Sequence, residues 1–156
     1  MATEFRVSDF TRSKFAHKKF PRLFKKLVAE PGKKQRGVDF LLNYENKLVA
    51  YAEIEVKLVW KRKAWPKKYP NVQFPVRKEH FARTDLPTFM VMFSKAGSNV
   101  LVVDAKTMAS SPIVNRWTRR GKDLLYQVPL DKVVFGLDKI EDHIMKYLGL
   151  AQSSVA

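Results

Sequence analysis

The sequence predicts an α+β fold in which a mixed central β-sheet is flanked by helices. Apolar residues recur at helical spacing near both ends of the chain, at 20–28 and 138–150, and short apolar runs rich in β-branched and aromatic residues lie between them. This order of helix, strands and helix is typical of α+β proteins. The chain has 156 residues, 46% of them hydrophobic, which suits one domain with a real core. We therefore expect a single domain over residues 1–150 and a loose tail over 151–156.

The first well-marked helix is predicted over residues 20–28, with a shorter helix upstream at 8–18. Pro21 suits the first turn of the longer helix, and the proline and glycine of the stretch 30–37 end it. The apolar residues of this helix form one stripe, which consists of Phe20, Leu23, Phe24, Leu27 and Val28.

Strand patterns dominate the middle of the chain. A β-hairpin is predicted from VDFLLNY at 38–44 and KLVAYAEIEVKLVW at 47–60, joined by a tight Glu-Asn turn. A basic loop with prolines at 66, 70 and 75 follows, and RKEHFA at 77–82 predicts a short helix. The remaining predicted elements are two strands at 88–94 and 99–105, two short edge strands at 124–129 and 132–136, and the terminal helix at 138–150.

The net charge of +15 predicts that the protein binds a polyanion. Nucleic acid is the first choice, because the basic residues lie on several elements rather than on one amphipathic helix that would suit a membrane surface. The chain has no cysteine, which excludes disulfides, thiolate metal sites and cysteine nucleophiles. No stretch is long and apolar enough to span a bilayer, and the N-terminus lacks a signal-peptide core, so we expect a cytoplasmic protein.

Three charged residues interrupt the apolar pattern of the second hairpin strand. Glu53, Glu55 and Lys57 are spaced two apart, so they project from the same face of that strand. Fifteen residues separate Asp39 from Glu55, enough for a hairpin to bring the two carboxylates together. Converging carboxylates suit Mg²⁺, with the carbonyl of Val56 as a further oxygen ligand, and we expect Mn²⁺ to substitute. A neighbouring Lys57 would orient or deprotonate an attacking water, or stabilise the charge that builds on a phosphate.

The strings GVDF and EIEVK, which contain Asp39 and Glu55, resemble the Asp…Glu-x-Lys signature of the PD-(D/E)XK nuclease superfamily. The resemblance covers about residues 20–105 and implies a restriction-endonuclease-like fold. It implies that Asp39 and Glu55 are metal ligands and that Lys57 is the catalytic lysine. Within the superfamily, the pattern is similar to that of Holliday-junction resolvases and phage junction-resolving endonucleases, which are enzymes of DNA recombination and repair.

Two further residues near the signature are candidates for accessory roles. The resemblance implies a further glutamate that many resolvases take from their first helix; Asp9 is the nearest acid to that helix here, and Glu53, which shares the face of Glu55, is the other candidate to replace it. By the same resemblance, Arg77 or Lys78 in the RKEHFA stretch would contact the scissile phosphate; the alternative is that both belong to a solvated helix face. The signature's proline is replaced here by Val38.

Two stretches of the chain are rich in cations. Residues 1–36 hold eleven Lys or Arg against three Asp or Glu, and residues 57–83 hold nine against one. Both stretches adjoin the expected site in sequence, so we expect a basic rim that attracts phosphates around an acidic centre. Trp65 lies among these cations, where its ring would either stack on an unpaired base or cover the sheet. The expected nucleic-acid contacts are Lys33, Lys34, Arg36, Lys61, Arg62, Lys63, Trp65, Lys67, Lys68, Arg77, Arg119 and Arg120.

These patterns predict a Mg²⁺-dependent endonuclease that hydrolyses the phosphodiester bonds of DNA. Because the sequence shows no separate recognition domain, we expect it to cut a Holliday junction or another branched DNA rather than a defined sequence. Since two strands must be cut, we also expect a homodimer. One alternative is a basic nucleic-acid-binding protein without activity, in which Glu53, Glu55 and Lys57 form cross-strand ion pairs. Another is a nuclease subunit that needs a partner.

Overall fold

The chain forms two β-sheets that share a hydrophobic core. This is seen in a computed structural model, which describes residues 14–32, 37–118 and 121–150. The predicted α+β class with a mixed sheet is confirmed. Within the described residues, the larger sheet has six strands, in the spatial order β1 (Val28–Pro31), β2 (Phe40–Tyr44), β3 (Lys47–Lys57), β5 (Thr88–Ser94), β6 (Val100–Asp104) and β9 (Val134–Phe135). The smaller sheet has three, in the order β4 (Asn71–Pro75), β8 (Gly121–Pro129) and β7 (Ile113–Thr118).

The helices of the described part are short. The α-helices are α1 (14–19), α2 (Ala105–Ala109) and α3 (Ile140–Tyr147). The 3₁₀ segments are Phe20–Leu23, which continues α1, together with Val76–Arg83 and Leu130–Lys132. Across these described ranges, no helix is long and apolar enough to cross a membrane.

Strands β3 and β5 pair in parallel at the centre of the larger sheet, whereas the other pairings of the described strands are antiparallel. The parallel register runs from Tyr51 beside Thr88 to Lys57 beside Ser94. All residues of β5 and β6 are buried, which explains their continuous apolar sequence, because such strands are covered on both faces. β3 differs because its C-terminal end, which carries the charged residues, is mostly half-buried.

The larger sheet separates two hydrophobic cores. The first lies under the helices, where Phe20 and the α3 residues Ile140 and Ile144 are fully buried against the sheet. The second lies between the two sheets and is built around Trp60, Phe74, Met90, Met92 and Tyr126. Each buried side chain of this size contributes roughly 2–3 kcal/mol by leaving water, so both faces of the larger sheet are held by hydrophobic burial.

The predicted hairpin of β2 and β3 is confirmed. Glu45 and Asn46 form its turn with φ angles of 49° and 66°, as in the type I′ turns that match the twist of paired strands. A β-bulge after Leu42 shifts the register by one residue, so that Phe40 pairs with Ala52. The register at the open end of the hairpin therefore depends on the bulge as well as on the turn.

The prediction of a helix over residues 20–28 is wrong. The chain turns through the 3₁₀ segment Phe20–Leu23 and runs as β1 from Val28. Between these elements, the backbone N–H groups of residues 25–27 all donate to Oε2 of Glu141 on α3, at 2.9, 2.9 and 3.0 Å. This tertiary contact satisfies three donors that a helix would have bonded internally, so the local apolar spacing does not decide the backbone conformation.

Other elements differ in their bounds. The strand predicted at 47–60 ends at Lys57, because the chain turns to bury Trp60, whose Nε1 donates to the carbonyl of Ala64 at 3.1 Å. The edge strand predicted at 124–129 is part of β8, the central strand of the smaller sheet, and β4, β7 and α2 were not predicted.

The remaining predictions hold in part. The predicted upstream helix is found over 14–19, while the rest of its predicted span, 8–13, lies outside the described residues; the short helix predicted at 77–82 is a 3₁₀ segment. The edge strand at 132–136 is confirmed as the two-residue β9, and the terminal helix is shorter than the predicted 138–150. The tail at 151–156 lies outside the described residues.

We expect Glu141→Ala to lower the free energy of unfolding by about 2 kcal/mol, because three N–H groups lose a charged acceptor at once. Asp142→Ala changes the neighbouring, exposed carboxylate of the same helix turn and should cost less than about 1 kcal/mol. Urea unfolding followed by circular dichroism measures both variants. Equal losses would contradict the role of Glu141.

Candidate functional site

The candidate site begins where the backbone at Gly32 approaches the backbone of Val38 and Asp39 closely. We call this close contact the neck. The N–H of Gly32 donates to the carbonyl of Asp39 at 2.8 Å. A Cβ atom at Gly32 would collide with the carbonyl of Val38, so only glycine allows the two segments to approach this closely. The neck fixes the backbone of Asp39 immediately before β2.

Glu53 is the carboxylate that lies beside Asp39. The hairpin register places Asp39 opposite Glu53, and the N–H of Asp39 donates to Oε2 of Glu53 at 3.3 Å. The N–H of Ile54 donates to Oδ2 of Asp39 at 2.8 Å. The Asp…Glu-x-Lys spacing of the sequence predicts Glu55 in this position. The observed register, which the bulge shifts by one residue, places Glu53 there, and Glu55 lies two residues further along β3.

The two neighbouring carboxylates have opposite pKa shifts. His17 on α1 approaches Asp39, with 3.4 Å between Nε2 and Oδ1. Burial by itself would raise the pKa of Asp39, but His17 and the N–H of Ile54 outweigh it and hold this pKa below its usual value. Burial and the charge of Asp39 raise the pKa of Glu53 to about 7, although Lys78 acts in the other direction. Near neutral pH, burial and the negative charge of Asp39 therefore oppose the ionisation of Glu53.

Glu55 forms a salt bridge with Lys78, with 2.8 Å between Oε2 and Nζ and with 29% and 18% of the two side chains exposed. Lys78 belongs to the 3₁₀ segment Val76–Arg83, in the connection between β3 and β5. Its neighbour Arg77 contacts Asp123 of β8 at 3.3 Å. The 3₁₀ segment therefore links the larger sheet to the smaller one at this site.

An open groove of about 530 Å³ starts at these charged residues, and its lining includes Glu55, Val56, Lys57, Arg77 and Asp123. A second groove of about 560 Å³ adjoins it. The residues that line both grooves are Lys57, Gln73 and Thr118. Lys57, the predicted catalytic lysine, therefore lies where the two grooves meet.

The predicted nucleic-acid contacts fall into three groups. Those that line the grooves are Trp65, Lys68 and Arg77. Those that are exposed elsewhere in the loop after β3 are Lys61, Arg62, Lys63 and Lys67. Those that lie outside the described residues are Lys33, Lys34, Arg36, Arg119 and Arg120.

Trp65 packs against the second core. The centroid of its ring lies 5.2 Å from that of Trp60 and 6.0 Å from that of Phe135, and its Nε1 donates to the carbonyl of Tyr69 at 2.7 Å. The ring is only half-buried and also lines the second groove. Trp65 therefore covers the core, which is the second of the two roles predicted for it. Part of its ring also faces the groove.

Two residues at this site, His17 and Trp117, are not predicted from the sequence. His17 comes to Asp39 only through the tertiary fold, so no local pattern connects the two. Trp117 on β7 is 80% exposed and lines the second groove. Its signal is the run RWTRR, in which an aromatic residue lies among cations as it does around Trp65.

The oxygen donors of the site fit a hard cation. In the described ranges, no three His, Asp or Glu side chains come close enough to hold a metal ion by themselves. Mg²⁺ usually takes only one or two carboxylates and completes its coordination with water and phosphate oxygens. Asp39 and Glu53 supply two carboxylates whose mutual repulsion a dication would relieve, and the predicted ligands Glu55 and Val56 follow along β3.

Comparison with known proteins assigns the chain to no family, since no protein-family model matches it and no curated protein matches it. What the chain does must be inferred from the carboxylate pair, the neighbouring lysines and the grooves.

We expect Glu53→Gln to stabilise the metal-free protein above neutral pH. The pKa of Glu53 is about 7 in the folded protein against an ordinary value of 4.5, so the wild type loses stability as the pH rises between these values. The cost is complete above pH 7 and absent below 4.5. Discounted for partial exposure, the variant should gain about 1–2 kcal/mol near pH 8 and nothing near pH 4.

Urea unfolding in EDTA at the two pH values measures this difference. Glu79→Gln changes an exposed glutamate of the 3₁₀ segment and should show no pH-dependent gain. A gain for Glu53→Gln that is equal at both pH values would show that burial of the charge is not its cause.

Proposed function

We propose that the protein is a Mg²⁺-dependent endonuclease that hydrolyses the phosphodiester bonds of DNA. The observation that carries this proposal is the close carboxylate pair of Asp39 and Glu53. Two residues further along β3 begins the groove that Glu55 and Lys57 line. A carboxylate pair suits a hard cation, and a chain with a net charge of +15 suits a polyanion. Together these are the parts of metal-assisted phosphodiester hydrolysis.

The carboxylates bind the ion in this proposal. Asp39, Glu55 and the carbonyl of Val56 are the ligands that the PD-(D/E)XK resemblance implies, and Glu53 joins them through its contact with Asp39. His17 helps to keep Asp39 ionised, because it lowers the pKa of that carboxyl group. When bound, the ion supplies a Lewis acid that offsets the phosphate charge and acidifies a bound water.

Lysine side chains have two separate roles. Lys57, which lines both grooves, orients the attacking water and stabilises the negative charge that builds on the phosphate. Lys78 holds Glu55 in place through their salt bridge, and Arg77 presents a half-exposed guanidinium to a neighbouring phosphate. In the reaction the attacking water gives up a proton to solvent as its oxygen bonds to phosphorus, one ester P–O bond breaks, and the leaving oxygen takes up a proton.

The proposal includes a restriction-endonuclease-like fold and a branched DNA substrate. An aspartate before one hairpin strand and a Glu-x-Lys on the other is the arrangement that the PD-(D/E)XK resemblance implies. A homodimer would supply two such sites, one for each strand of a junction.

A second candidate function is binding of nucleic acid without cleavage. The salt bridge between Glu55 and Lys78 favours it, because a lysine already compensates the charge of one predicted metal ligand. Such a protein would bind DNA with a steep salt dependence, and it would cut nothing or only together with a partner subunit.

Cleavage of labelled DNA tests the proposed activity. We expect the wild type to cut a four-way junction or a flap in Mg²⁺ or Mn²⁺ and not in EDTA. Asp39→Asn and Lys57→Ala should reduce the rate at least about 100-fold, because they remove a metal ligand and the stabilising cation. Lys47→Ala, which removes an exposed cation at the opposite end of β3, is the control for lost charge and should stay within about threefold. Tight binding without cutting in either metal would contradict the nuclease and support the second candidate.

Metal binding can be measured without DNA. Mn²⁺ should raise the Tm of the wild type, because the ion binds only the folded site; at 100 times the Kd the stabilisation is about 2.7 kcal/mol. The shift should be lost in Asp39→Asn and kept in Asp142→Asn, a distant exposed carboxylate. Differential scanning fluorimetry gives the result, and a full shift in Asp39→Asn would rule out the carboxylate pair as the site.

A further inference from the structure

Strands β7 and β8 form an arm that projects beyond the smaller sheet. β4 pairs with β8 over Leu125–Pro129, whereas β7 pairs with β8 as far as Gly121. Among the described strands, residues 121–124 of β8 therefore have a neighbour on one side only. The contact between Arg77 and Asp123 ties this arm to the 3₁₀ segment at the candidate site.

Trp117 differs from the other two tryptophans of the chain in its exposure. Trp60 is fully buried and Trp65 is half-buried, whereas 80% of Trp117 is exposed. Trp117 also lines the second groove, and its neighbour Arg116 does so too. An exposed indole at the margin of a groove suits a ligand with a flat π-face.

The groove beside Trp117 carries positive charge. Lys57, Lys68 and Arg116 contribute three cations to its lining, and its described lining includes no acidic residue. The groove meets the groove of Glu55 at Lys57. A chain of phosphates that lies along these cations would therefore reach the candidate catalytic residues.

We propose that the β7–β8 arm binds an unpaired stretch of DNA, with Trp117 stacked on a base and the adjoining phosphates bound along the groove. Aromatic rings interleaved with cations are how proteins bind single strands without reading their sequence. A regular duplex hides the faces of its bases, so the arm selects DNA with unpaired or splayed bases. The inference rests on the proposed function in taking DNA as the ligand, and it adds which structure of DNA is bound and by which residue.

Binding in EDTA tests the inference separately from cleavage. The probes are a labelled oligothymidylate of about 12 nucleotides and a duplex of equal length, followed by fluorescence anisotropy. Trp117→Ala should weaken oligothymidylate binding about tenfold or more and change duplex binding far less. Trp117→Phe should lie in between, because a smaller ring still stacks. Ile113→Ala, which changes a 53% exposed residue of the same strand, should bind like the wild type.

Tryptophan fluorescence supplies a second readout. Oligothymidylate should quench the emission of the wild type, and Trp117→Phe should remove more of this quenching than Trp65→Phe, which changes the half-buried indole of the same groove. The inference would be overturned if Trp117→Ala lost equal affinity for single strands and for duplex. It would also be overturned if oligothymidylate quenched Trp117→Phe as much as the wild type. If the Trp117 variants bind single strands like the wild type while the wild type still cuts DNA, the inference fails and the nuclease stands. If stacking is found but no metal supports cutting, the proposed nuclease fails and the inference stands.

Discussion

The parallel pairing of β3 with β5 is the constraint on which the rest of the structure depends. Parallel neighbours cannot be joined by a tight turn, so the chain must cross over between Lys57 and Thr88. The crossover contains the buried Trp60, the strand β4 and the 3₁₀ segment with Lys78. It closes the second core and brings a cation to Glu55. The same crossover thus covers β3 with hydrophobic side chains and places Lys78 beside Glu55 at the end of that strand.

The acidic end of β3 is only partly compensated. Asp39 receives an N–H group and the contact with His17, whereas the pKa of Glu53 is raised to about 7. Half-buried carboxylates that repel each other destabilise the protein until a cation or a proton neutralises them. The same repulsion therefore favours uptake of a divalent ion. In the proposed nuclease, the site would therefore give up some stability of the metal-free protein in exchange for affinity towards the ion.

Much of the larger sheet is predictable from the sequence, because a type I′ turn at Glu-Asn and two continuous apolar runs are strong local signals. The bulge after Leu42 is not predictable, since one extra residue leaves no mark in the apolar alternation, yet it decides that Glu53 stands beside Asp39. β4 was missed because prolines at its ends argue against a strand, although an edge strand tolerates Pro75. The helix at 20–28 failed because its backbone donors bind Glu141, far along the chain.

The neck at Gly32 separates the carboxylates of the site from the segment between Gly32 and Asp39. The chain leaves at Gly32 and returns at Asp39, and the hydrogen bond between their backbones closes that excursion. Changes confined to residues 33–36 leave this hydrogen bond and the buried Val38 in place, so we expect them not to move Asp39. The intervening KKQR run can thus diverge freely. Natural variants or designed grafts could alter the surface offered to a ligand there while the chemistry of the site stays intact.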